Sequence, residues 1–271
     1  MLVAIEGEEG CGKTTLAYTA PRKVVGFAFD MGVERALYGG KHGELFKELS
    51  IQVVPYITGN TEPVSWDNYD ITIYELPQPI QLDTTLIKGA IDLWDRFIQL
   101  LVKALKDEQV RSVVVDTMTV ARRVKADAYL EGLQANVQPG NKPRERLLQI
   151  EWGATNDAIR GIYTTAAGVK KNLIAVHHLT DERKETIDKG GVVTQALTGQ
   201  RILEGLSQTY RFVDIAIRNA KDKASIQTTF RKCGYNLGME GLLVTDPTWD
   251  KLSQVIEDTL GGSLKLERAN E

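Results

Sequence analysis

"GEEGCGKTT", residues 7–15, decides how the rest of the chain is read. It fits in full the pattern Gly, four residues, Gly, Lys, Ser/Thr, with Gly7, Gly12, Lys13 and Thr14 at the fixed places. The surroundings are those the pattern requires. "LVAI" (Leu2 to Ile5) reads as a short buried strand before it, and "KTTLAYTA" as the opening of a helix after it. Gly7, Gly10 and Gly12 let successive backbone N–H groups turn inward around an anion, and the helix start adds its positive dipole end. Lys13 is placed to reach the β- and γ-phosphates of a nucleotide, and the Thr14 hydroxyl to ligate Mg²⁺. Glu8, Glu9, Cys11 and Thr15 complete the expected cofactor-binding loop, with Cys11 as a small filler inside it.

Working outward, 271 residues allow one large α/β domain or two small ones. With 42% hydrophobic and 25% charged residues, a sizeable core is expected. A net charge of −3 argues against bulk affinity for nucleic acid but leaves room for a local basic patch. Two cysteines, Cys11 and Cys233, make no disulfide framework and fit a reducing cytosol. No export signal is visible and none is expected, and no apolar run approaches the length of a membrane span.

The order of elements is that of an α/β protein. "KVVGFAFD" (Lys23 to Asp30) is a second strand ending in an acid. Ser50 to Gln81 mixes β-branched residues with prolines and reads as short strands and loops, a variable insertion over residues 50–84. From Thr85 to Lys106, Ile87, Ile91, Trp94, Ile98, Leu101 and Leu105 recur at three or four, which predicts an amphipathic helix packed on a sheet. "VRSVVVDTMT" is a Val-rich strand ending in Asp116. A helix over about 120–132, a polar loop, a helix over about 150–169 and the strand "NLIAVHHL" follow. Thr180 to Gln200 reads as a long charged loop. "RFVDIAIR" and "ASIQTTFRKCGYNLG" read as antiparallel strands before a helix over about 248–260. Apolar runs alternating with helices imply a mostly parallel sheet with helices on both faces and an antiparallel edge. One domain over residues 1–260 is expected, with a polar, flexible tail over 261–271.

Asp116 is the expected partner of the loop, one acid beside the bound Mg²⁺ on the strand next to the loop's own, with Thr117 placed to orient the metal's water shell. Nothing resembles the guanine signature Asn-Lys-x-Asp, so ATP is the expected nucleotide. A carboxylate that polarises the attacking water belongs at a neighbouring strand end. Asp30 is the first candidate there and Glu34, in "DMGVERAL", the second.

Taken in order, "GEEGCGKTT", "VVGFAFDMGVERA", "VRSVVVDTMT", "EWGATNDAIRGI" and "NLIAVHHL" resemble the RecA-like P-loop ATPases of bacteriophages, a group that includes RecA-core single-strand annealing proteins. The resemblance covers about Met1 to Lys232. It implies a RecA-like core that hydrolyses ATP with Mg²⁺ and acts on single-stranded DNA in recombination, annealing or replication. It also implies a homo-oligomeric ring or filament, a single-strand-binding protein as a further partner, and a cytosolic setting, that of a bacterial host if phage-encoded. A polar sensor of the γ-phosphate falls at His177 or His178. The chain departs from RecA in carrying Gly32 where a glutamate follows the second strand.

By the same resemblance, residues 134–146 and 180–200 line a DNA channel, with Lys142, Arg144, Arg146, Arg183 and Lys184 as phosphate contacts. The basic segment "RNAKDKASIQTTFRK" has three readings: a DNA contact, a plain exposed hairpin, or a source of cations (Lys221, Lys223, Arg231, Lys232) for a neighbouring subunit's γ-phosphate. Two other functions stay open. "IEGEEGCGKTT" also resembles thymidylate-type nucleotide kinases, for which Asp95-Arg96 is the one candidate acceptor-binding pair in mid-chain. A nucleotide-dependent assembly or loader protein with weak hydrolysis is the third.

Overall fold

The computed structural model describes residues 1–39, 43–57, 65–79, 86–138, 140–187 and 193–269. Its first strand, β1 (Leu2–Gly7), is buried along its whole length and delivers the loop to α1 (Lys13–Tyr18). There follow β2 (Val24–Ala28), α2 (Val33–Tyr38), β3 (Ile51–Val54), β4 (Ile71–Glu75) and α3 (Ala90–Lys106). After these come β5 (Ser112–Asp116), α4 (Met118–Ala135), α5 (Trp152–Gly168) and β6 (Asn172–His177). The last third holds β7 (Leu179–Ile187), β8 (Val193–Leu203), α6 (Thr209–Phe212), β9 (Ile215–Asp222), β10 (Ser225–Cys233), β11 (Leu243–Thr245) and α7 (Trp249–Thr259).

Nine strands make one sheet in the order β11-β10-β9-β1-β6-β5-β2-β4-β3. Every pairing from β9 across to β3 is parallel, and β10 and β11 add the expected antiparallel edge. The strand next to the loop's own is not that of Asp116: β6 lies between β1 and β5, Leu173 pairing with Leu2 on one side and Val113 on the other. Parallel strands covered on both faces must be apolar on both. In β5, Val113 and Val115 face the layer of α3, α4 and α5, while Val114 faces that of α1, α2 and α7.

Several expectations change. The buried stripe of α3 runs through Leu93, Phe97, Leu100 and Ala104 as well as Trp94, Leu101 and Leu105, whereas Ile91 is exposed. Phe97 sets this rotation by packing edge-on against Phe27 and Phe29, at 5.2 and 5.0 Å between ring centres. The described part of residues 50–84 holds short strands and loops as read, and β4 pairs with β2 and carries the sheet toward its far edge. Residues 58–64 and 80–85 of that stretch lie outside the described residues. The charged loop expected over 180–200 is a two-stranded hairpin, β7 with β8, apart from residues 188–192, which also lie outside them. Its strands carry charged and polar groups on exposed positions, so neither displays a core face for hydrophobic patterning to reveal.

The tail also packs rather than trailing away. The Trp249 ring N–H donates to the Glu267 carbonyl at 2.9 Å, Asn172 to the Glu267 carboxylate at 2.8 Å, and the Ala269 N–H to Asp250 at 2.7 Å.

His177, an expected phosphate sensor, is fully buried at the end of β6. Its Nδ1 lies 3.4 Å from the Glu204 carbonyl and its Nε2 3.1 Å from the Tyr163 hydroxyl. A carbonyl only accepts, so Nδ1 carries the proton and Nε2 accepts from Tyr163. The ring is a neutral clasp between β6 and α5, and burial pushes its pKa down to about 4. Its ordinary value is 6.5, so the unfolded chain takes up the proton first. The stability it contributes is complete above pH 6.5 and is lost as pH falls toward 4. Between pH 7 and pH 5 this residue is expected to remove about 2 kcal/mol. Urea unfolding at the two pH values checks this: His177→Gln, which keeps an acceptor for Tyr163, should show that much less acid loss.

Candidate functional site

The carboxyl ends of β1, β2, β5 and β6 open into a cleft of about 910 Å³, where ligands of open parallel sheets are held. Residues 9–15 of the loop form its floor, with Asp30, Asp116, Thr117 and His178 along one side. Lys221, Lys223, Ile226 and Pro247 stand opposite.

Two contacts fix the shape of the loop. A Cβ at Gly7 would lie 2.5 Å from the Asn219 carbonyl oxygen and 2.6 Å from Cys11 Sγ, so only glycine admits this close approach. Lys13, itself buried, donates to the Gly7 and Glu8 carbonyls at 2.8 and 2.6 Å, pulling the loop into a ring. Cys11 fills the inside of that ring as expected, its thiol donating to the Glu8 carbonyl at 2.9 Å and pushed up in pKa by burial. Gly10 and Gly12 adopt φ of +70° and +73°. Among the described residues, the backbone N–H groups of Gly10, Gly12, Thr14 and Thr15 donate to no backbone carbonyl, while that of Lys13 faces the Cys11 sulfur. That is the donor set an anion needs.

Asp116 is 2% exposed and takes a hydrogen bond from the Thr14 hydroxyl. Burial raises its pKa to about 6; the Thr14 hydrogen bond and the Lys13 charge act against this, and the neighbouring Asp30 charge with it. The Tyr18 hydroxyl, buried nearby without a hydrogen-bond partner among the described residues, is held well above its ordinary pKa by burial and then by the Asp116 charge. An acid out of water, incompletely compensated and joined to a hydroxyl oxygen, suits a small hard cation. Thr14 and Asp116 therefore fit Mg²⁺, which takes few protein ligands and completes its shell with water and phosphate oxygens.

The other sequence candidates divide. Asp30 is in the cleft, beside Asp116: the Phe29 and Asp30 N–H groups donate to the Asp116 carbonyl at 2.6 and 3.3 Å. Glu34 is exposed on α2 and does not line the cleft, because the first turn of that short helix points it to solvent. His178 lines the cleft, its N–H donating to Thr119 at 3.1 Å, while His177 does not. Thr117 accepts from the Val120 N–H as the cap of α4. Glu9 lines the cleft; Glu8 leaves it for an ion pair with Arg201 of β8 at 3.2 Å.

Of the four cations read as candidates for a neighbouring subunit, Lys221 and Lys223 rim their own cleft. Lys232 is taken up by the Tyr210 and Val213 carbonyls at 2.8 and 2.6 Å, and Arg231 lies 4.0 Å from Glu6. Of the proposed DNA contacts, Lys142, Arg146 and Arg183 are exposed. Arg144 instead grips Glu151 through both terminal nitrogens, at 2.7 and 2.5 Å, and Lys184 lies 3.8 Å from Glu182.

Two residues escaped the sequence reading. Glu6 is fully buried in β1, bound by Arg218 at 2.6 Å and by the Tyr210 hydroxyl at 2.7 Å. Its signal was an acid inside the buried run "VAIEG". Arg35 lines the cleft from α2, one turn beyond Gly32, and nothing in its spacing set it apart from a surface arginine.

The sequence matches the family model described as AAA domain over residues 1–229. No curated protein matches it. Among solved structures it is similar to the RadB recombinase, at 12% identity and a TM-score of 0.45, covering 90% of this chain and 85% of that one. It is also similar to a KaiC-like protein from the hyperthermophilic archaeon Pyrococcus horikoshii OT3, at 13% identity and a TM-score of 0.40, covering 91% and 89%. With a complete phosphate-binding loop at the head of a parallel sheet and the family model spanning most of its length, the chain belongs to the AAA domain family.

Proposed function

We propose that the protein is a Mg²⁺-dependent ATPase of RecA type that acts on single-stranded DNA in recombination, annealing or replication, as a homo-oligomer. The observation that carries the enzymatic half is a juxtaposition. The glycine loop with its inward N–H groups, Lys13, the Thr14–Asp116 pair and Asp30 all meet in one cleft. The loop N–H groups cradle the phosphates, with Lys13 at the β- and γ-positions. Bound Mg²⁺, held by Thr14 and Asp116, neutralises charge on the phosphate oxygens. Asp30 positions the attacking water, and His178 stands at the γ-phosphate end of the cleft. Support for DNA is more local: Lys142 and Arg146 in one segment and Arg183 on the β7–β8 hairpin are exposed cations of the kind that contact phosphates. Asp95 and Arg96, the acceptor-binding pair offered by the kinase reading, sit on α3 and do not line the cleft.

ATP hydrolysis by the purified protein, with and without single-stranded DNA at fixed modest salt, tests both halves. DNA is expected to raise turnover, and Lys142→Ala with Arg146→Ala to weaken that stimulation at unchanged basal rate. Brisk turnover only on adding a nucleoside monophosphate would move the assignment to a kinase. Low turnover with nucleotide-dependent oligomerisation would move it to an assembly switch.

Lys13→Ala is expected to cut ATP turnover by about 10²-fold or more; normal turnover in that variant would overturn the ATPase assignment. Asp116→Asn should separate function from stability. It removes a buried charge, so the metal-free protein should melt at a higher temperature at pH 7, while Mg²⁺-dependent turnover falls by a similar factor. A lower melting temperature in that variant would contradict the burial of an incompletely compensated carboxylate.

A further inference from the structure

A triphosphate cleaved in this cleft builds up negative charge on the γ-phosphoryl oxygens and the leaving oxygen, and the rate depends on which cations meet it. Of the cations that sequence reasoning offered for the γ-phosphate, two are occupied and two line the cleft away from Asp30. Lys232 is spent on two carbonyls, Arg231 leans toward Glu6, and Lys221 and Lys223 rim the wall opposite Asp30. One further cation lies on the Asp30 side.

Arg35 projects from α2 into the cleft and makes no ion pair among the described residues. Its guanidinium lies beside Gly32, two residues after Asp30: a Cβ on Gly32 would be in ordinary contact with Arg35 Nη2, at 3.6 Å. The guanidinium fork therefore sits next to the turn that follows Asp30. α2 itself is held against the loop helix, the Thr15 hydroxyl donating to the Ala36 carbonyl at 2.9 Å, which fixes the turn that carries Arg35.

We propose that Arg35 is a catalytic residue that supplies, from within the same chain, the cation for the γ-phosphoryl group during hydrolysis. This rests on the ATPase reading of the cleft and deepens it. In the step, the oxygen of a water held by Asp30 bonds to the γ-phosphorus as the bond to the β–γ bridging oxygen breaks. The bridging oxygen leaves on ADP with the electron pair, and the water's proton passes to Asp30. The Arg35 fork donates to a γ-phosphoryl oxygen and to the leaving β–γ oxygen, where negative charge develops as the bond breaks. Its contribution therefore falls on kcat rather than on ground-state binding.

The test compares wild type, Arg35→Ala, Arg35→Lys and Lys13→Ala in steady-state ATP hydrolysis, together with direct binding of Mg²⁺–ADP. Arg35 is exposed, so the substitutions leave the core untouched. Arg35→Ala is expected to lower kcat by about 10²–10³-fold, with ADP affinity within about 3-fold of wild type. Arg35→Lys should recover part of the loss, and added guanidinium ion should partly rescue Arg35→Ala. An unchanged kcat in Arg35→Ala, with Lys13→Ala inactive, would overturn the role of Arg35 and leave the ATPase reading standing. A raised KM for ATP with kcat unchanged would make Arg35 a ground-state binding residue and also overturn it. Equal turnover in wild type and Lys13→Ala would overturn the ATPase reading itself.

Discussion

Asp116 is an acid kept out of water at the carboxyl end of β5, and it meets the Thr14 hydroxyl there although β6 separates its strand from β1. Burying such a group is unfavourable unless something compensates it, and the Thr14 hydroxyl and the Lys13 charge do so only in part, since its pKa stays high. The rest of the cleft follows from that imbalance. Strand ends must converge closely enough to place a hydroxyl, an ammonium and a second carboxylate around one point. Only the stacked parallel order β1-β6-β5-β2 brings Thr14, His178, Asp116 and Asp30 to the same edge.

The loop is also tethered from outside the cleft. Glu6 and Glu8 flank Gly7, and each is bound by an arginine from later in the chain, Arg218 of β9 and Arg201 of β8. Arg218 further donates to the Arg201 carbonyl at 3.1 Å, so the two tethers are joined. The buried Glu6 pair holds its place because the Tyr210 hydroxyl and Arg218 together satisfy the carboxylate, whereas the exposed Arg201–Glu8 pair is worth far less to stability. What the outer pair provides is connection between the root of the β7–β8 hairpin and the floor of the cleft.

Much of this was legible in the sequence for local reasons. The loop announces itself because its chemistry needs particular residues at fixed spacing, and "SVVVD" because a strand buried on both faces must be apolar throughout. Antiparallel β9 and β10 were readable as two runs either side of a short polar turn. What escaped was set by contacts far apart in the chain. The face of α3 depends on where Phe97 finds Phe27 and Phe29, and the place of β6 between β1 and β5 is a matter of pairing that no single strand encodes. The packed tail depends on Trp249 and Asn172 offering donors to Glu267. His177 and His178 look alike in sequence, yet strand alternation sends one into the core and the other to the cleft.

Gly26 sits in the middle of β2, and a Cβ there would lie 2.3 Å from the Tyr18 hydroxyl oxygen. The tyrosine of the loop helix therefore rests in a notch that β2 offers at a single position. If β2 slid along its neighbours, Val24 or Ala28 would come beneath the ring and the notch would be lost. Tyr18 thus works as a pawl in a ratchet tooth. It sets the longitudinal position of β2, and with it the height at which Asp30 stands above the phosphate loop.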